Sequence, residues 1–169
     1  MQTKNSTLDN YNVNFGRDEI SMINLKTNTV SLIIYDKNKF NTKDYYFSYK
    51  LSSEEHIKHQ INSENYSYEV TGPNGFVRKF KGTKSPKIEV TLSNKISENA
   101  VEIKFNLISE EKVTANFENV YLGESKDIIV SSQETLTFNL DRTRGWYDLK
   151  IKTEHNSWHF AGRIELGKP

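Results

Sequence analysis

The sequence has no cysteine, which removes disulfides, zinc–thiolate sites and thiol nucleophiles together. This absence does not place the chain in a reducing compartment, because exported proteins also do without cysteine. No apolar run reaches the length of a membrane span, and the first ten residues, MQTKNSTLDN, contain nothing that could serve as the apolar core of a signal peptide. The protein is therefore expected either to stay inside the cell or to be a piece whose targeting signal lies elsewhere. A net charge of +1 gives no global field for nucleic acid, which is not expected as a partner. Also missing are a Gly-x-Ser-x-Gly elbow, a glycine-rich loop opening a helix, and any pair of carboxylates standing apart from solvent-facing positions. No catalytic residue is expected on this chain.

Helical periodicity is scarce too, and alternation at period two takes its place. Ile88-Glu-Val-Thr-Leu92, Val101-Glu-Ile-Lys-Phe-Asn-Leu107 and Leu136-Thr-Phe-Asn-Leu140 read as half-buried strands. Thr29–Tyr35 and Tyr45–Tyr49 are β-branched or aromatic runs bounded by turn formers. Turn signals recur at Lys26–Asn28, Asp36–Lys39, Gly72–Gly75, Ser93–Lys95, Arg142–Gly145 and His155–Ser157, a spacing that suits antiparallel sandwiches or barrels. In Gly72-Pro-Asn-Gly75 the proline presets one corner, while Asn74 and Gly75 tolerate the positive φ that follows. Only Ser52–His59, where a serine precedes two acids, offers a helical alternative.

One phrase occurs twice. Tyr68-Glu-Val-Thr-Gly-Pro-Asn-Gly-Phe-Val-Arg-Lys-Phe-Lys-Gly82 is echoed by Tyr147-Asp-Leu-Lys-Ile-Lys-Thr-Glu-His-Asn-Ser-Trp-His-Phe-Ala-Gly162. Tyr68 and Tyr147 are 79 residues apart; Phe80 and Phe160, like Gly82 and Gly162, are 80 apart. A period of that length is one small domain, so two copies are expected. With 35% hydrophobic and 27% charged residues, each copy should have a thin core, and packing against its twin or a larger partner would help.

The four histidines suggest a metal search that fails. On a strand His56 and His59 point to opposite faces, while His155 and His159 span a predicted turn. No third ligand or orienting partner accompanies either pair, so no metal is expected. Asp36-Lys-Asn-Lys-Phe-Asn41 alternates oxygen ligands but lacks the glycine and closing glutamate of a calcium loop. No cofactor is expected either. The basic run of Arg78, Lys79, Lys81, Lys84 and Lys87 reads as a solvated linker between the copies or, alternatively, as a contact for phospholipid headgroups. Aromatics make up 12% of the chain and should form most of the core. Trp146 is expected inside, and Trp158, beside a turn, is the better candidate for exposure.

The run Gly145-Trp-Tyr-Asp-Leu-Lys-Ile151 with Phe160-Ala-Gly-Arg-Ile-Glu-Leu-Gly167 resembles the end of bacterial secreted phospholipases C that cleave phosphatidylcholine or sphingomyelin. These carry a tandem pair of small β domains at the carboxy terminus, the first ending in a Gly-Pro-Asn-Gly-Phe segment matched here by Gly72–Phe76. The resemblance implies an all-β chain of two tandem small antiparallel β-sandwich modules of immunoglobulin-like type. They would span residues 11–83 and 84–169, after a flexible segment 1–10. It also implies a non-catalytic accessory region whose partner is an upstream phosphoesterase domain, with phospholipid as a further partner. Gly72, Asn74 and Gly75 would shape the turn; Phe76, Phe80, Trp146, Tyr147 and Phe160 would pack; Gly82 and Gly162 would permit close backbone approach. Trp158, His159, Arg163, Arg78 and Lys79 are the candidate ligand or interdomain contacts. Where relatives often have basic residues before the final Phe-Ala-Gly, this chain has Trp158-His159. A separate possibility is an independent carbohydrate- or lipid-binding module that uses exposed aromatics near Trp158.

Overall fold

Period-two alternation becomes fourteen strands in the computed structural model, which describes residues 11–164. The expected flexible segment 1–10 and the last five residues, Gly167 among them, lie outside the described residues. The first seven strands are β1 (Tyr11–Phe15), β2 (Glu19–Asn24), β3 (Val30–Asp36), β4 (Tyr46–Leu51), β5 (His56–Gln60), β6 (Asn65–Thr71) and β7 (Val77–Thr83). The next seven are β8 (Ile88–Lys95), β9 (Ala100–Leu107), β10 (Val113–Asn119), β11 (Glu124–Val130), β12 (Gln133–Asn139), β13 (Trp146–Lys152) and β14 (Ser157–Arg163). The fold is all-β and every pairing is antiparallel.

The second seven strands repeat the pairing of the first. The order β1-β2-β5 is matched by β8-β9-β12, and β4-β3-β6-β7 by β11-β10-β13-β14. The four-stranded halves then join edge to edge, β7 against β14, into one eight-stranded sheet. This pairing removes two exposed edges that would otherwise be templates for aggregation. Because β7 and β14 hold equivalent places and run antiparallel, a local two-fold passes through the Lys79–His159 pair.

The second layer is stitched rather than laddered. Asn12 and Asn14 of β1 donate Nδ2 to the Leu92 carbonyl of β8 at 2.6 and 3.1 Å, and the Leu92 N–H donates to Asn14 Oδ1 at 2.9 Å. Inward-facing residues such as Val13, Leu32, Val70, Phe80, Val90, Phe105, Phe117 and Phe160 form one buried cluster that runs through both halves. Two thin cores were expected; the shared seam merges them and leaves fewer apolar atoms facing water.

Two local expectations need correction, while a third region, Ser52–His59, takes the turn-and-strand form in preference to its helical alternative. Ser93–Lys95 continues β8, and the turn falls at Ile96–Glu98, with Asn99 in the left-handed region at φ 53°. Ser52–Glu55 makes a turn in which the Ser52 N–H donates to Glu55 Oε1 at 2.8 Å; β5 follows immediately and no helix forms there. The doubled phrase is also registered differently from its spelling. Gly82 lies opposite Tyr66 and Gly162 opposite Tyr147, so Tyr147 corresponds to Tyr66 and not to Tyr68. The loop between β6 and β7 is longer than that between β13 and β14, and this length difference shifts the pairing. The Gly72–Gly75 turn does form as expected, with Asn74 at φ 58° and Gly75 at φ 81°.

Candidate functional site

The seam between β7 and β14 gathers four of the five candidate contact residues: Arg78, Lys79, Trp158 and His159. They divide by strand parity, Arg78 and Trp158 facing inward while Lys79 and His159 face out. Arg78 is fully buried at 0% exposure, so it is no part of a solvated linker. Its Nε donates to the Val13 carbonyl at 3.1 Å, Nη1 to the Val77 and Ala161 carbonyls at 3.2 Å each, and Nη2 to Asn12 Oδ1 at 2.9 Å and Tyr147 Oη at 3.0 Å. The guanidinium carbon lies 4.1 Å from the Phe76 ring centroid and 5.2 Å from that of Phe160. No carboxylate pairs with it among the described residues; neutral oxygens and ring faces stabilise the cation.

The two tryptophans exchange their expected places. Trp158 is 2% exposed and Trp146 37%. The turn ends before Ser157, so Trp158 is already inside β14, paired with Phe80 and directed at the core. Trp146 precedes the inward-facing Tyr147 and points the other way, out of the core. Its ring instead covers Gly75, where an added Cβ would sit 3.2 Å away, and Arg163 stacks on it at 5.7 Å. Gly72–Phe76 and Gly145–Gly162, distant in sequence, thus touch across one interface. Sequence reading missed Asn12, whose oxygen accepts from Arg78; nothing in its local pattern marks it.

On the opposite face of the same sheet, a groove of about 590 Å³ crosses the seam. The register sets its lining. Lys79 and Lys81 stand on β7 and Lys150 and Lys152 on β13, with His159 between Lys79 and Lys150 and Ser157 between Lys81 and Lys152. His159 Nε2 lies 2.7 Å from Asp148 Oδ1 and Lys79 Nζ 3.7 Å from Glu69. Lys81 and Lys152 have no carboxylate within ion-pair distance among the described residues. The repeat has diverged here: Lys81 and Ser157 correspond to Ala161 and Val77, so the groove occurs on one side of the two-fold.

A third polar group sits where β4 and β5 end their sheets. Tyr49 Oη lies 2.6 Å from His59 Nδ1, and the His59 ring also meets Phe47 and Tyr68. Tyr68, bonded to the carboxylate of Asp36, is pushed up to about 12 by burial and by that charge. Burial lowers the His59 pKa from 6.5; Asp36 pulls it up and Lys39 pushes it further down. A histidine lowered in the folded state binds its proton more readily when unfolded, so its contribution is full above 6.5 and is lost as pH falls from there through the folded value. The urea midpoint of the wild type is expected to drop across that window more steeply than that of His59→Gln. Parallel pH curves for the two proteins would contradict this. His56 faces the other side of β5, bonded to Ser21 at 2.6 Å. Among the described residues no three metal-ligating side chains gather.

The architecture is that of a paired β-sandwich presenting one polar sheet face across its seam. Residues 7–83 match the family model described as bacterial phospholipase C, C-terminal domain. The match ends with β7. No curated protein matches the chain.

Proposed function

We propose that this chain is the accessory carboxy-terminal region of a secreted bacterial phospholipase C, with residues 84–169 a second copy of the matched domain. Its parent would hydrolyse phosphatidylcholine or sphingomyelin through an upstream phosphoesterase domain, outside the cell. The chain itself supports that domain or brings it to lipid. The observation that carries this reading is the family match over residues 7–83 together with a topology that residues 88–163 repeat strand for strand. The inward-facing signature residues support it as well, because Phe76, Tyr147 and Phe160 are committed to packing.

Phosphatidylcholine vesicles incubated with the purified chain are expected to release no phosphocholine above the buffer rate, while adding the chain to its cognate phosphoesterase domain should raise that domain's melting temperature. Robust hydrolysis by the chain alone would overturn the accessory reading. The alternative of a free-standing sugar- or lipid-binding module built on Trp158 loses its anchor, because that ring is buried.

A further inference from the structure

The four lysines of the outer groove stand at the corners of a rectangle whose dimensions follow from the sheet. Lys79 and Lys81 are two residues apart on one strand, as are Lys150 and Lys152 on another, roughly 7 Å along each strand. The two strands flank β14, which puts the pairs roughly 10 Å apart. Flexible four-carbon stems from opposite corners can converge over the middle. The middle holds the Ser157 hydroxyl and the His159 ring. Lys37 extends the line: it borders the same groove beside Ser67, the residue opposite Lys81.

Charge is unevenly balanced along this surface. The row containing Lys79, His159 and Lys150 has acids at hand: Glu69 bonded to Lys79, Asp148 to His159, and Glu118 paired in register with Lys150. The row containing Lys37, Ser67, Lys81, Ser157 and Lys152 has none among the groove-lining residues. Like charges gathered on one sheet face repel, and a hydroxyl set between two ammoniums is a donor with nothing anionic beside it. The nearest acid in register, Asp127, lies two strands beyond Lys152 and is bonded to Asn116, so within the groove this row lacks a counter-charge with several oxygens, which a phosphate group supplies.

We propose that the groove over the seam binds a phosphate group, held by Lys81 and Lys152 with the Ser157 hydroxyl between them. The donor is a phospholipid at a membrane surface, a part of the proposal that rests on the accessory reading above. The outer face suits that source: it is the open side of the eight-stranded sheet, since both three-stranded layers pack on its other side. Beyond β3, Lys37 leads to exposed Phe40 and Tyr46, rings that can enter a bilayer interface beside the lysines.

The test compares the wild type with Lys81→Gln/Lys152→Gln, and with Lys104→Gln/Lys112→Gln as a charge-matched control away from the groove. Sedimentation with phosphatidylcholine vesicles containing phosphatidylglycerol is expected to show affinity about thirty-fold weaker for the groove variant and a much smaller change for the control. In a second arm, inorganic phosphate titrated into labelled protein should shift the Ser157 and His159 amides saturably, and the groove variant should lose that response. Phosphate binding without vesicle binding would keep the site but overturn the lipid source. No saturable response in either arm, or equal responses from all three proteins, would overturn the site itself. Hydrolysis by the chain would overturn the accessory reading without touching this result. Melting temperatures of the variants should match the wild type, because every substituted lysine faces solvent.

Discussion

Arg78→Met is expected to lower the unfolding free energy by about 3–5 kcal/mol, measured by urea denaturation. Methionine can fill much of the apolar volume beside Phe76 and Phe160, so the loss comes mainly from acceptors left behind. Hydrogen bonds to a charged group contribute about 1.5–3 kcal/mol each, and a buried acceptor without a donor costs about 1–3 kcal/mol. Tyr147 Oη and the carbonyls of Val13 and Ala161 face this guanidinium, as does Asn12 Oδ1, which would keep the Val13 N–H as a donor. The desolvation of an arginine with no carboxylate offsets part of that sum, which keeps the estimate below full additivity. Arg78→Lys should recover little, because three donors on one ammonium cannot reproduce a planar fork. In the double variant with Tyr147→Phe the losses should be less than additive, since both remove the same 3.0 Å contact. A drop below about 1 kcal/mol for Arg78→Met would show that water reaches these acceptors.

Gly82→Ala is expected to cost a similar amount, about 3–5 kcal/mol, for a different reason. Gly82 sits at φ +151°, a backbone conformation that side-chain-bearing residues rarely adopt. An added Cβ would also lie 2.7 Å from the His155 carbonyl and still closer to Asn156 Nδ2. Asn156 cannot move freely, since its amide donates to Tyr66 Oη and to the Thr83 carbonyl at 2.9 Å each. Tyr66, held by that bond, is nonetheless pushed up to about 12 by burial. Displacing Asn156 therefore opens the seam at the β13–β14 turn and leaves buried polar atoms without partners. Thermal and urea unfolding should both shift; an alanine variant as stable as the wild type would mean that the turn yields at no cost. Because Arg78 and Gly82 act at different points of one seam, each variant should also weaken the groove proposed on its outer face, in proportion to its loss of β7–β14 pairing.

Much of the secondary structure was legible because it depends on neighbours in sequence. Ile88–Leu92 and Val101–Leu107 alternate, and alternation puts every second side chain on one face whatever surrounds the strand. Gly72–Gly75 needed only the φ preferences of three residue types. β11, with its exposed Glu124-Ser-Lys-Asp run, carried no such pattern because it is an edge strand with little to bury. The doubled phrase was visible too, though aligning letters put Tyr147 against Tyr68, where hydrogen-bonded register puts it against Tyr66.

The sequence by itself determined an all-β chain and the stretch of residues 7–83 that matches a family model, for both rest on local composition and spacing. Tertiary structure alone decided what those residues face. Whether Trp158 lay inside or out turned on where β14 begins, and whether Arg78 belonged to a linker or a core turned on which strand came to lie beside β7. Both are settled by contacts between residues some 80 positions apart, and nothing in the chemistry of either neighbourhood carries that information.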